Sequence, residues 1–141
     1  MNAHAKAFFD TNVLLYMLAD ADVRRRDVAR QLFESCVDSR TIILSTQVVQ
    51  EFYAAGSRKL SLPVRELRTV VGKLLTLPLV TLGPGEIRSA LHFEERYGIS
   101  FWDALIVAAA VSAGAGVLYT EDLNDGQLFG PVTVRNPFRA A

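Results

Sequence analysis

A lone cysteine, Cys36, a lone tryptophan and two histidines are all that 141 residues supply of the side chains that most often form staples, bind zinc or shuttle protons. One thiol makes no intramolecular disulfide, and the run QLFESCVDS gives Cys36 no neighbouring Cys or His at metal-ligand spacing, so redox and zinc-site readings fall away. His4 stands near the start of the chain and His92 within a polar helical segment, and both are read as incidental. Long apolar runs are missing as well. The longest uncharged tract, ALIVAAAVSAGAGVLY, falls short of a membrane span and carries Ser and Gly breaks. MNAHAKAFFDTN has only a short apolar stretch, interrupted by Asp10 and followed by no small-residue cleavage site, so it is not read as a secretory signal and a soluble, cytoplasmic setting is expected. Net charge is absent too: 15 basic residues cancel 15 acidic ones. That leaves no global pull on nucleic acid, only local basic patches to consider.

What the chain does have is apolar residue in quantity, 50% of the total. A chain of this length can close a core with it unaided, and residues 1–141 are read as one domain. Apolar runs of strand length alternate with longer stretches of helical period, which is the α/β pattern. KAFFD reads as a buried strand entering a short helix, VLLYMLA. DVRRRDVARQLFESCVDS is an amphipathic helix with Val23, Ala29, Leu32, Phe33 and Cys36 expected toward the core. TIIL, LPLVTL, VLYT and VTVR are further strands. STQVVQEFYAAGSRK, PVRELRTVVGKLLT and GPGEIRSALHFEERYG are further helices; Pro63 opens the second, where its missing N–H costs nothing, and Gly98 closes the third. ISFWDALIVAAAVSAGA is apolar on nearly every face, as suits a helix packed deep against a sheet. Parallel strands with right-handed crossovers are the economical topology for this order.

Three acids stand alone in these apolar surroundings. Asp10 is the one charge in AFFDTNVLLYML, Glu51 the only charge between Arg40 and Arg58, and Asp103 the only charge between Arg96 and Glu121. An isolated buried carboxylate is costly, and none of the three has a Lys or Arg close in sequence to neutralise it. Capping accounts for part of this. Asp10 could cap the helix after its strand, Ser100 with Asp103 fits the S-x-x-D capping box, and Glu51 could be a solvated helix residue. YTEDLNDG is a turn after a strand, where Asp and Asn are the usual residues. Jointly the acids say more, because in an open parallel sheet functional groups gather at the carboxyl ends of the strands. Asp10 ends the first strand, Asp122 follows VLYT, Asp103 begins the helix leading into VLYT, and Glu51 lies some way into the helix after TIIL. Carboxylates converging on one rim repel, and a hard divalent cation, Mg2+ or Mn2+, is the expected compensation.

FDTNVLLY, STQVVQEFY, FWDALIVAAA and LYTEDLNDG, in that order and over nearly the whole chain, resemble the motifs of the PIN-domain ribonucleases, and most of all those of VapC-type toxins from type II toxin–antitoxin systems. The resemblance implies a Rossmann-like three-layer α/β/α fold with a central parallel sheet and metal-dependent endonucleolytic cleavage of RNA that inhibits translation or growth. It also implies a VapB-like antitoxin as partner, and a homodimer. By position it carries the catalytic acids onto Asp10, Glu51, Asp103 and Asp122, with Asp10, Asp103 and Asp122 as metal ligands, and it suggests supporting roles for Asn12, Ser45 and Thr120. Glu121, Asp122 and Asp125 crowd the last motif. Asp122 is preferred, Asp125 comes next, and Glu121 would point elsewhere if strand alternation continued through it. With no histidine in any motif, the chemistry expected is metal-centred. A cation held chiefly by Asp10 and Asp103 would acidify a bound water and polarise a phosphate oxygen, while Glu51 and Asp122 orient the water or hold a second ion.

An acidic crevice needs positive charge at its rim to hold RNA, and RRRDVAR at 24–30 and SRKL at 57–60 are the candidates. Tyr53 and Trp102 are read as core or groove lining, without a platform of stacked aromatics. The FYAAG segment and the helix from Leu67 to Leu75 offer apolar surface to an antitoxin or a second copy. Other readings fit less well. A phosphotransfer enzyme of the haloacid-dehalogenase kind would need a second Asp where Asn12 stands, and a receiver-type signalling domain a late Lys, whereas none follows Lys73. A non-catalytic α/β interaction module, with all four acids serving as caps, is the remaining alternative.

Overall fold

The computed structural model describes residues 5–139, so His4 lies outside the described residues. Strands β1 (Lys6–Phe9), β2 (Ile42–Ser45), β3 (Leu79–Val80), β4 (Ala115–Tyr119), β5 (Leu128–Phe129) and β6 (Val132–Arg135) form one sheet in the order β3-β2-β1-β4-β6-β5. Every pairing is parallel except that of β5 with β6. Helices α1 (Thr11–Tyr16), α2 (Val23–Asp38), α3 (Thr46–Lys59), α4 (Val64–Leu74), α5 (Pro84–Tyr97) and α6 (Phe101–Ser112) connect the strands and flank the sheet in a three-layer α/β/α arrangement. The chain steps from β1 through β2 to β3 on one side, then returns to lay β4 against the other side of β1. That reversal between β1 and β4 opens a crevice at their carboxyl ends.

The apolar strands sit where their composition puts them. Phe8, Phe9, Leu44, Leu118 and Val134 are fully buried. Every residue from Ala104 to Ala110 of α6 is buried, and its alanines let α5 and the sheet approach closely. Gly98 closes α5 with φ 65°, a left-handed conformation that glycine adopts without a Cβ clash, and its N–H donates to the Glu94 carbonyl at 2.9 Å. Among the described residues no helix is long and apolar enough to cross a membrane.

Four expectations need correction. LPLVTL contributes only Leu79–Val80 as strand, because Pro78 has no N–H to donate; its carbonyl accepts from Leu44 N at 3.0 Å instead. Val23 is 53% exposed: it is the first residue of α2, before the helix lies down on the core, while Ala29 and Cys36 are buried and Leu32 and Phe33 pack at the core's edge. The antiparallel β5 was not anticipated, since a two-residue strand between Gly126 and Gly130 shows no periodicity to read. Pro63 is the residue before α4 and not its first member, so its N–H is still not missed.

The apolar face of α4, expected to be open to a partner, is spent inside the chain. Leu67 and Leu74 are 1% and 2% exposed. A Cβ on Gly56 of α3 would lie 3.1 Å from a Leu67 methyl, so α4 presses onto α3 at a place only a glycine fits comfortably. Val64 and Leu75 alone of the large apolar residues on or just after α4 remain exposed. Because α3 carries Glu51, this contact also fixes one wall of the crevice. Leu67→Ala is expected to lower stability by about 2–5 kcal/mol, measured by urea denaturation. A loss under about 1 kcal/mol would mean that α4 is anchored elsewhere.

Candidate active site

Asp10 follows directly on β1 because the pairing of β1 with β4 runs to its last residue: Asp10 N donates to the Tyr119 carbonyl at 3.0 Å. Its side chain then caps α1. Oδ1 accepts from Thr11 N at 2.7 Å, and Oδ2 accepts from the Thr120 hydroxyl at 2.8 Å. The carboxyl is 7% exposed. Burial pushes its pKa up from 3.8 to about 6; the Thr120 and Thr11 hydrogen bonds pull the other way, and the neighbouring Asp122 and Asp103 charges add to the rise. Desolvation therefore outweighs two good hydrogen bonds.

Glu51 faces the same crevice from α3, half-buried, with both oxygens engaged. The Thr11 hydroxyl donates to Oε2 at 3.0 Å and Gln47 Nε2 donates to Oε1 at 2.9 Å. Thr11 thus serves two acids at once, through its backbone N–H to Asp10 and its hydroxyl to Glu51. Ser45, fully buried, accepts from Val48 N at 3.2 Å and caps α3; it sets the helix that carries Glu51 and does not line the crevice. Asp103 stands in the first turn of α6, whose cap Ser100 accepts from Asp103 N at 3.1 Å. Burial raises its pKa most, the Ser100 contact opposes this, and Asp122 and then Glu51 raise it further. Asp122 is exposed and receives Asn12 Nδ2 at 3.5 Å, while its own N–H donates to the Thr120 hydroxyl at 3.1 Å.

These segments enclose a cleft of about 280 Å³ lined by Asp10, Thr11, Asn12, Glu51, Asp103 and Asp122, together with Ala54, Ala55, Arg58, Trp102 and Ile106. All four acids carried by the resemblance line it. Capping and clustering both hold: Asp10 and Ser100 do cap helices, but capping gives no reason for Glu51 and Asp122 to share their cleft. The neighbouring acids are directed elsewhere. Glu121 lies 3.4 Å from Arg25 Nε, and after burial it is the neighbour that most raises the Tyr16 pKa. Asp125 is not brought to the cleft: its oxygens accept from Asn136 N at 2.8 Å and approach Arg139 at 3.5 Å.

The basic run RRRDVAR is likewise committed to structure and not to the rim. Arg24 donates to the Phe138 carbonyl at 2.6 Å and Arg30 to the Met17 carbonyl at 2.7 Å. Arg25 pairs with Asp22 at 3.0 Å and lies over the Tyr16 and Phe138 rings, and Arg26 pairs with Asp20 and Asp27. Of the two basic candidates, only SRKL reaches the acidic cleft, through Arg58. His92 is exposed on α5 among Glu95 and Arg96, apart from the acids. Trp102 is 65% exposed, a cleft wall and not a core residue. Thr11 and Gln47 were missed by the sequence reading. The Gln47–Glu51 spacing of i, i+4 was an available signal, whereas the Thr11 contact depends on how α1 meets α3.

The donor set suits a hard divalent ion. Oxygen ligands converge, and Asp10 and Asp103 are disfavoured as bare anions. Among the described residues no group of three or more acids, histidines or cysteines stands ready to hold an ion, so the fit is one of chemistry and charge and not of finished coordination geometry.

Residues 7–124 match the family model of the PIN domain. No curated protein sequence matches the chain. Several solved structures share the fold. The sarcin-ricin loop cleaving toxin VapC20 of Mycobacterium tuberculosis is 18% identical, with 83% of this chain and 90% of that one covered and a TM-score of 0.68. A toxin–antitoxin complex from Klebsiella pneumoniae is 19% identical, over 94% and 98% of the two chains, with a TM-score of 0.71. DNA-bound VapBC from Salmonella typhimurium is 19% identical, over 94% and 98%, with a TM-score of 0.67. At such identities the likeness is one of fold.

The raised Asp10 pKa makes a signed prediction for the metal-free protein. The unfolded chain releases this proton near 3.8 and the folded one near 6, so the folded state binds more protons in between and stability falls as pH rises across that window. The cost is absent below the lower value and complete above the upper, at about 3 kcal/mol. Denaturation in EDTA across this range should show wild type losing stability relative to Asp10→Asn as pH rises. Parallel curves for the two proteins would contradict the burial argument.

Proposed function

This chain belongs to the PIN-domain family, and from that premise we propose that it is an endoribonuclease dependent on Mg2+ or Mn2+, acting in the cytoplasm as the toxin of a type II toxin–antitoxin pair. One observation carries the reading: four acids from separate segments of the chain line one cleft at the point where the strand order reverses.

Asp10, Asp103 and Asp122 are the residues that would hold the ion. Bound there, a divalent cation supplies an acidified water and positive charge for a phosphate oxygen. The rest falls to the chain's own groups. Thr11 N–H and the Thr120 hydroxyl fix the Asp10 carboxylate in one orientation. Glu51, braced by Thr11 and Gln47, keeps lone pairs free to accept a proton of the attacking water and aim it at phosphorus. Asn12 and Arg58 are the donors in the cleft for the oxygens of the phosphodiester.

The structural relatives include toxin–antitoxin complexes, which supports a VapB-like antitoxin as partner here. An inhibitor of an acidic cleft is expected to present Arg or Lys to Asp10, Glu51 or Asp103. With the α4 face buried, the apolar surface next to the acids is the hollow lined by Leu15, Tyr16, Ala19, Lys59 and Leu60, which shares Asn12 with the cleft. A homodimer remains part of the proposal, and the mass of the protein in solution tests it.

Asp10→Asn, Glu51→Gln and Asp103→Asn are each expected to abolish Mn2+-dependent RNA cleavage while leaving the far-ultraviolet circular dichroism unchanged. Thr11→Val, which keeps the backbone cap and removes the hydroxyl, should lower cleavage about 10- to 100-fold. Cleavage that persists in EDTA, or in Asp10→Asn, would contradict a shared metal site.

A further inference from the structure

We propose that Trp102 and Arg58 form a nucleotide subsite beside the acids, in which the Trp102 indole stacks on a base of the bound RNA and Arg58 holds the adjoining phosphate. This rests on the nuclease reading and names two residues that would position the substrate at that site.

Three features of the cleft support it. Trp102 is the most exposed of the large apolar side chains among the described residues, at 65%, and it lines the same cleft as Asp10, Glu51 and Asp122. The exposure is not looseness: Phe101 meets the indole edge-to-face at 5.4 Å between centroids, and Phe101 itself packs on the buried cluster of Ala90, Ala104 and Leu105. A braced, solvent-facing indole presents a π surface that any base can cover. Second, Arg58 lies at the end of α3 and makes no ion pair among the described residues, in contrast to the engaged arginines of α2. Third, Ala54 and Ala55 line the same cleft as these two, and their side chains are small. An acidic cleft repels a polyanion, and stacking offsets that repulsion without adding charge at the acids.

Trp102 is the chain's only tryptophan, so its fluorescence reports this contact alone. The probe is a short oligouridine with 2′-O-methyl sugars, added to the protein in EDTA so that nothing is cleaved, with an abasic oligomer of equal charge as control. The oligouridine should quench the fluorescence saturably and the abasic oligomer should not. Trp102→Ala should raise the Kd of a dye-labelled oligouridine about 5- to 100-fold, and Trp102→Phe should restore most of the loss. Arg58→Ala should flatten the dependence of log Kd on log salt by about 0.7. In cleavage assays Trp102→Ala should raise KM more than it lowers kcat. Quenching without any cleavage by the metal-loaded protein would remove the nuclease reading and keep the subsite. Cleavage that proceeds without quenching, with Kd and KM unchanged in Trp102→Ala, would overturn the subsite and keep the nuclease. Unaltered oligonucleotide binding together with a changed mass in solution would assign Trp102 to a protein contact and overturn the proposal.

Discussion

A carboxylate buried at the point where the sheet reverses direction is the constraint on which the rest of this structure turns. Phe8 and Phe9, both fully buried, hold β1 in register with β4 to its end. The next residue, Asp10, therefore has nowhere to go but into the crevice between the two strands. Two hydrogen bonds at 2.7 and 2.8 Å do not offset the loss of water around it, and the carboxyl titrates near 6. Asp103 and Asp122 then bring like charge to the same place. A site built this way is unfavourable to itself without a cation, which is what the proposed function requires of it.

The surrounding shell keeps that arrangement from relaxing. Thr11 ties α1 to Glu51 on α3, Ser45 caps α3, and the Leu67 contact at Gly56 holds α3 in place from behind. Arg25 does the same on the other side. Lying against both the Tyr16 and Phe138 rings and paired with Asp22 and Glu121, it joins the last described segment to α1 and α2 and turns Glu121 away from the cleft. Asp122 is left as the acid of its motif that faces Asn12. Structural charge and site charge are thus kept apart, with the arginines of α2 consumed by carbonyls and carboxylates and Arg58 left open.

Much of this was legible in the sequence, for physical reasons that also mark where legibility ends. Asp10, Glu51 and Asp103 stood out because a single charge in an apolar run has to be compensated. The strands and helices followed from periodicity and from Pro and Gly signals, apart from β5 and most of LPLVTL, which are too short to have a period. The RRRDVAR run misled because basic composition says nothing of partners more than a hundred residues away: Arg24 reaches Phe138. The apolar face of α4 was read correctly as apolar, but only packing could show that α3 already covers it. Trp102 lies in an apolar helix and looked like core or lining; its exposure depends on α6 beginning just there, with its first turn at the mouth of the cleft.

The most direct test of the central claim is a calorimetric titration of the protein with Mn2+ in buffers of different ionisation enthalpy, which counts the protons released when the ion binds. If the ion relieves a buried, partly protonated Asp10, binding near pH 6 should release about half a proton per ion, with the release fading as the pH is raised and disappearing in Asp10→Asn. Saturable binding with no proton release near pH 6, or with unchanged affinity in Asp10→Asn, would contradict the account.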